Sequence, residues 1–335
     1  MSSRTPFRGT SFRGAALLAV AALVVTGCGS DDDGGSSSSG GGGSSGAFPV
    51  TITTQFGDVE IEEEPTRVVA LGWGDAETAL ALGVQPVGAS DWLEFGGEGV
   101  GPWSEGLYDE APEIIGTMEP SFEAIAALEP DLILDTKSDG TEERYELLSQ
   151  IAPTVGMPEG VDPWQTTWDE QLELVGQALG RSDEAAEIAD EVAQAFADAA
   201  AEHPEFDGTE VAVAAFTSEG FGAYVRGDAR VDFMESLGFV NKPAIQEQAD
   251  GDFAVDVSEE EVSLLDADLT VAFPIYVAAS EFTSNPLWLT LPSVQEGRVV
   301  VLDDEVLASA FSIGTAPGIL YALETTVPLF ADALA

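Results

Sequence analysis

Residues Ser182 to Glu202 constrain the fold more than any other stretch of the chain. Ala185, Ile188, Ala189, Val192, Ala195, Phe196 and Ala199 recur every three or four positions, with Glu187, Asp190, Glu191 and Asp198 between them. That is one apolar stripe on a helix with a polar back. At about 1.5 Å per residue the helix is roughly 30 Å long, the width of a small domain. The sequence on either side has a β/α texture and similar length. A stiff helix between two α/β lobes fixes their geometry and leaves a cleft between them.

The first residues read as a leader. Arg4, Arg8 and Arg13 precede an apolar run from Ala15 to Val25, eleven residues and too short for a bilayer, which needs about 20. Val25-Thr26-Gly27-Cys28 follows and resembles a bacterial lipoprotein signal, which implies cleavage before Cys28 and a lipid on its sulfur. Cys28 is the chain's single cysteine, so no internal disulfide or thiolate metal site can form. Gly29 to Gly46 holds only Gly, Ser and Asp, the composition of a flexible tether. The expected organisation is a leader over 1–27, a tether over 28–46, one lobe over 47–161, a helical connector over 162–204 and a second lobe over 205–335. Localisation on the outer face of the cytoplasmic membrane, through the lipid, follows from this reading.

The charge is extreme: 11 Lys and Arg stand against 61 Asp and Glu, a net charge of −50. Such a surface repels nucleic acid and anionic lipid, so neither is expected as a partner. Acids are background in this chain, so a pair of carboxylates signals nothing by itself. Cations are scarce, and those near aromatic residues are the informative ones.

Along the chain, Phe48 to Ile61 alternates like an antiparallel hairpin turning at Gly57-Asp58. Buried strands are expected at Arg67–Leu71, Pro86–Ala89, Ile114–Ile115, Asp131–Leu134 and Thr154–Val155, with helices at Asp75–Leu82, Phe122–Leu128 and Glu142–Gln150. Thr167 and Glu170 form a capping box that opens a helix over Trp168–Leu179; Gly180 breaks it, and Ser182 is the expected cap of the long helix. The second half repeats the texture, with strands at Val211–Phe216, Phe221–Val225, Leu269–Phe273 and Val299–Leu302 and helices at Val231–Leu237, Ser258–Leu265 and Pro317–Leu329. This alternation predicts open, mainly parallel sheets with helices on both faces. Ser121-x-Glu123-x4-Leu128-x2-Asp131-Leu132 recurs as Ser258-x-Glu260-x4-Leu265-x2-Asp268-Leu269 with every spacing identical. Each copy reads as a capped helix, an acid favoured by the helix dipole, and an Asp leading into a strand.

Most catalytic chemistries lack their residues. The single histidine, His203, ends the acidic helix, so a Ser-His-Asp triad and a site of several histidines are excluded. No phosphate-binding glycine motif follows a strand. No catalytic residue, no protein-held metal and no cofactor are expected. What stands out is aromatic residues where open α/β sheets bind ligands: Trp73, Trp92 and Trp103 in the first half, Tyr224, Tyr276 and Phe311 in the second. The scarce cations Lys137, Arg226 and Arg230 lie near them. Aromatic walls with a few cations suit a large, oxygenated, partly anionic ligand.

Taken in order, several segments resemble the substrate-binding lipoproteins of iron–siderophore ABC importers, whose relatives include cobalamin-binding proteins. They are Arg67–Leu71, Ala79–Gly88, Glu123–Ile133, Ile151–Val155, Leu237-Gly238-Phe239 and Glu296-Gly297-Arg298-Val299, within a resemblance that spans Arg67 to Leu329. It implies two Rossmann-like lobes joined by a single long α-helix, the helical-backbone metal receptor type, with ligand held between the lobes. It implies a ferric siderophore as ligand, with iron only inside it, and an ABC permease as partner. Glu123 and Glu260, by motif, would meet arginines on that permease. Ligand residues vary within the family, so the cleft residues rest on position and not on a motif. With only Lys137, Arg226 and Arg230 available, a hydroxamate or mixed ligand of low charge fits better than a triscatecholate. Two other readings stay open at this point: cobalamin or haem in the same kind of receptor, with Tyr224 or Tyr276 as a haem ligand, or a surface-anchored hydrolase using two carboxylates.

Overall fold

The computed structural model describes residues 48–335. Cys28, the leader and the tether lie outside the described residues. The described chain opens on an antiparallel hairpin, β1 (Val50–Thr54) and β2 (Gly57–Ile61). Its turn is Gln55-Phe56, not Gly57-Asp58, and the alternation turns Ile52, Val59 and Ile61 inward.

The first lobe then runs β3 (Val68–Ala70), α1 (Asp75–Ala81), β4 (Gly88–Ser90), β5 (Glu113–Ile115), α2 (Phe122–Ala127), β6 (Leu132–Leu134), α3 (Glu142–Ser149) and β7 (Thr154–Val155). The five strands β3 to β7 form one parallel sheet in the order β5-β4-β3-β6-β7. The central strands β3 and β6 are fully buried, as expected for a parallel sheet covered on both faces. Asp131 starts β3: its carboxylate accepts the Thr66 and Arg67 backbone N–H groups at 2.9 and 2.8 Å.

Two helices lead to the second lobe. The helix α4 (Trp168–Ala178) has the expected capping box, with Thr167 and Glu170 each accepting from the other's backbone. The helix α5 (Ser182–Glu202) has the expected bounds, but Ser182 is its first residue; the cap position is Arg181, and no side chain caps it. A Cβ at Gly176 would come within 2.6 Å of the Ala185 Cβ, so glycine lets α4 and α5 approach closely. The stripe on α5 spans two cores. Ala185 packs with Ile52, Val68, Leu172 and Val175, whereas Val192 and Phe196 join Val211, Phe233 and Val271.

After a 3-10 turn at Pro204–Phe206, the second lobe comprises β8 (Glu210–Thr217), β9 (Gly220–Tyr224), α6 (Ala229–Ser236), β10 (Val240–Asn241), α7 (Pro243–Gln246), β11 (Ala254–Val257), β12 (Leu269–Pro274), α8 (Ser280–Thr283), α9 (Pro292–Gln295), β13 (Val299–Val301), α10 (Glu305–Ile313) and α11 (Ala316–Leu334). Its sheet is mixed: β8, β10, β12 and β13 are parallel, while β9 runs antiparallel between β8 and β11. The Ser-Glu-Leu-Asp repeat is kept in part. Ser121 caps α2 by accepting the Ala124 N–H, but Glu259–Leu265 is a 3-10 helix and Ser258 donates to Glu261 instead. The aspartates match better, since Asp268 accepts the Glu210 N–H at the start of β8 as Asp131 does for β3. Among the described residues, no helix is long and apolar enough to cross a membrane.

Candidate ligand-binding site

A cleft of about 290 Å³ opens between the lobes, lined by Trp73, Trp92, Met118, Lys137 and Trp164 on one side and Asp228, Ala229, Arg230, Phe253 and Ser312 on the other. Trp73, Trp92 and Lys137 leave the carboxyl ends of β3, β4 and β6, where a parallel sheet presents its ligand loops. The indoles form a chain: Trp73 and Trp92 are 5.9 Å apart, and Trp92 meets Trp164 edge-to-face at 5.1 Å. Trp73 donates its indole N–H to Ile313 O at 2.7 Å, and Trp92 donates to Leu71 O at 2.9 Å. Both therefore offer the cleft ring surface and no polar atom.

A buried carboxylate fixes the loops beneath. Asp75 accepts the backbone N–H groups of Gly72 and Thr136 at 2.8 and 3.1 Å, the Thr136 hydroxyl, and the Gln171 amide from α4 at 2.8 Å. Burial pushes its pKa up to about 6 in spite of those donors. Gly72 is needed there, because a Cβ would collide with the Asp75 carboxylate. The Trp73 N–H donates to Lys137 O at 2.8 Å, which locks the two loops together.

Lys137 is 5 % exposed, and its ammonium makes no ion pair or hydrogen bond among the described residues. Burial lowers its pKa below the usual 10.5; Asp228, Asp232 and Asp75 oppose that, while Arg230 adds to it. Arg230 is better compensated. It forms an ion pair with Asp228 at 2.8 Å, donates to the Ser312 hydroxyl at 3.1 Å, and lies 4.2 Å above the Tyr224 ring. The cleft lining thus carries one more cation than anion.

Five expected residues stand elsewhere. Arg226 is half-exposed and turned away, paired with Glu235 of α6 at 2.8 Å. Phe311 lies not in a loop but in α10, buried against Phe233 and Phe330. Asp304 caps that helix through the Val306 and Leu307 N–H groups, and an Asp before an apolar run is the sequence signal that would have found it. Trp103 packs on Phe95 and Tyr321 and donates to Glu77 at 2.8 Å. Tyr224 lies beneath Arg230 as a cation–π platform, outside the lining. Tyr276 is also absent from the lining and 83 % exposed; partial desolvation and then Glu94 and Asp91, from the opposite lobe, raise the pKa of its hydroxyl. The second lobe meets the cleft through the start of α6, the end of α10 and Phe253, just before β11. Trp164, Phe253, Asp228 and Ser312 escaped the sequence reading because none of them directly follows a parallel strand; Met118 does follow one, the edge strand β5, but is neither aromatic nor cationic.

The lobes are also joined at the base of the cleft. Glu77, buried on α1, accepts the Gly101 N–H at 2.9 Å, the Trp103 indole N–H at 2.8 Å and the hydroxyl of Thr315, the cap of α11, at 2.6 Å. With the Trp73–Ile313 bond, this ties the first lobe to the turn between α10 and α11.

Two α/β lobes bridged by a helix, with an aromatic cleft between them, define a solute-binding fold. The chain belongs to the periplasmic binding protein family, whose model matches residues 68–306. It is 31% identical to the probable siderophore-binding lipoprotein YfiY of Bacillus subtilis over 284 residues, 79% of this chain and 83% of that one. Among solved structures, PiaA of Streptococcus pneumoniae in complex with ferrichrome superimposes with a TM-score of 0.74 at 28% identity, covering 85% of this chain and 98% of PiaA. SirA of Staphylococcus aureus complexed with staphyloferrin B gives a TM-score of 0.68 at 26% identity, over 83% of this chain and 97% of SirA.

The titrating groups around Lys137 set a pH dependence. An anionic ligand stabilises the ammonium, so binding raises the Lys137 pKa and takes up a proton at pH values between the free and bound pKa. Asp232, held up to about 6 by burial, adds a negative charge near Lys137 above that pH, and Asp75 does the same. Affinity for an anionic chelate such as ferric citrate should fall as pH rises through about 6 and again through the free Lys137 pKa. Calorimetric titrations across pH should show Lys137→Met losing the upper step and keeping the lower one. A variant that kept both would show that Lys137 does not face the ligand.

Proposed function

We propose that the chain is an extracytoplasmic receptor that captures a ferric siderophore between its lobes and delivers it to an ABC permease. The observation that carries this reading is the cleft itself: Trp73, Trp92 and Trp164 converge with Lys137 and Arg230 in a space of about 290 Å³ between two bridged lobes. Membership of a family of binding proteins supports capture over catalysis. The named ligands of the relatives, a siderophore, ferrichrome and staphyloferrin B, support iron chelates as the class.

In this reading the chelator holds the iron, and the iron is cargo, with no resident cofactor in the protein. The protein supplies ring faces for the apolar part of the chelate and a cationic patch for its oxygens. With Arg230 largely neutralised by Asp228, the balance of charge favours a ligand of low net negative charge, as hydroxamate and mixed chelates are. Anchoring through a lipid on Cys28 holds the receptor at the outer face of the cytoplasmic membrane.

Quenching of tryptophan fluorescence tests the reading. Ferrichrome or ferric citrate should quench the emission saturably, the iron-free forms far less. No quenching across a broad panel of ferric chelates would refute it.

Glu123 and Glu260 bear on delivery. Both are exposed, in the first turn of α2 and of the 3-10 helix Glu259–Leu265. Two acids at matched places in the two lobes suit arginines on a two-fold permease. Glu123→Arg combined with Glu260→Arg should leave chelate affinity unchanged and abolish uptake in cells. Loss of affinity would show that these residues shape the cleft instead.

A further inference from the structure

Trp164 occupies a position that its backbone does not suit. Asp162, Pro163, Trp164 and Gln165 form a turn closed by the Gln165 N–H on Asp162 O at 3.1 Å. Pro163 supplies the fixed φ of the first central position. Trp164, the second, has φ 67, the left-handed value that type II turns give to glycine or asparagine. A bulky residue there is strained, and strain of this kind persists where the side chain has work that a glycine could not do.

That side chain faces the cleft. The indole N–H groups of Trp73 and Trp92 are committed to Ile313 O and Leu71 O. The Trp164 N–H has no partner among the described residues, and its ring is held edge-to-face on Trp92. The turn is also fastened to both walls. The Trp164 backbone N–H donates to Ser138 O at 3.0 Å, next to Lys137, and Thr166 donates its hydroxyl to Thr136 O at 2.7 Å. Gln165 reaches the other lobe and donates its amide to Gly251 O at 3.0 Å, two residues from Phe253.

We propose that Trp164 is the specificity-determining hydrogen-bond donor of the cleft, giving its indole N–H to an anionic, iron-coordinating oxygen of the bound chelate. Lys137, one residue from the Ser138 tether, supplies charge to the same side, and Trp164 supplies direction. This rests on the ferric-chelate reading above and adds to it the polar contact that selects the ligand. An apolar ligand, or one whose oxygens are masked on that side, leaves the donor unpaired in a half-buried site and is rejected.

The test uses the whole chain, with ferrichrome and ferric citrate as probes. Trp164→Phe keeps the ring and removes the N–H. It should weaken binding of at least one probe by about tenfold or more, the usual effect of losing a hydrogen bond to a charged acceptor. In the wild-type chain with nitrogen-15-labelled tryptophan, the Trp164 indole proton should move downfield and exchange more slowly with solvent when the chelate binds. The resonance is identified by its loss in Trp164→Phe or Trp164→His. Because that readout is taken on the wild-type protein, it stands even where a variant folds poorly. Tight wild-type binding with unchanged Trp164→Phe affinity, or an indole resonance unmoved at saturation, would overturn the inference alone. Failure of the wild-type chain to bind either probe would count against the ferric-chelate reading and remove the inference with it.

Discussion

The carboxylate of Glu77 is the joint on which the molecule depends. It sits buried on α1 and gathers three donors from two segments: Gly101 and Trp103 of one loop, and Thr315, the cap of α11. Burial raises its pKa, although Thr315, Gly101 and Trp103 all favour the charged form. A carboxylate in such a place is tolerated only because its donors replace the water it lost. Two residues earlier, Asp75 does the same for the loops after β3 and β6 and for α4. One short helix thus holds the floor of the cleft and the contact between the lobes. With α5 packed into both cores, this joint resists a wide hinge movement and argues for a preformed cleft that closes little on its ligand.

Scarcity of cations gives the site its character. Most basic side chains in the described residues are committed to ion pairs: Arg144 to Asp135 in a buried fork, Arg181 to Glu64, Arg226 to Glu235, Arg230 to Asp228, Lys242 to Glu210 and Arg298 to Glu296. Arg67 donates instead to the Leu128 and Glu129 carbonyls. Lys137 is the one left facing the cleft. In a chain with 61 acids, a buried ammonium without an ion pair is what makes this cleft, in the proposed function, the place for an anionic chelate.

Much of the scaffold was legible in the sequence because its signals were local. The stripe from Ala185 to Ala199 and the Thr167–Glu170 capping box set α4 and α5 to within a residue. Trp73, Trp92 and Lys137 were legible as cleft residues because each directly follows a central parallel strand. The second lobe was harder. It lines the cleft from α6, α10 and Phe253, while Tyr276, just after the parallel β12, and Arg226, paired with Glu235, stand outside the lining. Phe311 was misplaced because the capped helix α10 read as a loop. Trp164 could not be read at all, since Pro163-Trp164 at the centre of a turn breaks the rule that places glycine there.

Native mass spectrometry of the chain after incubation with a mixture of ferric and iron-free siderophores tests the central claim most directly. The expected spectrum shows one ferric chelate retained per chain, selected from the mixture, and lost when Trp73 and Lys137 are replaced together by Ala and Met. A wild-type chain that emerges bare, or an adduct that survives that double replacement, would contradict the account.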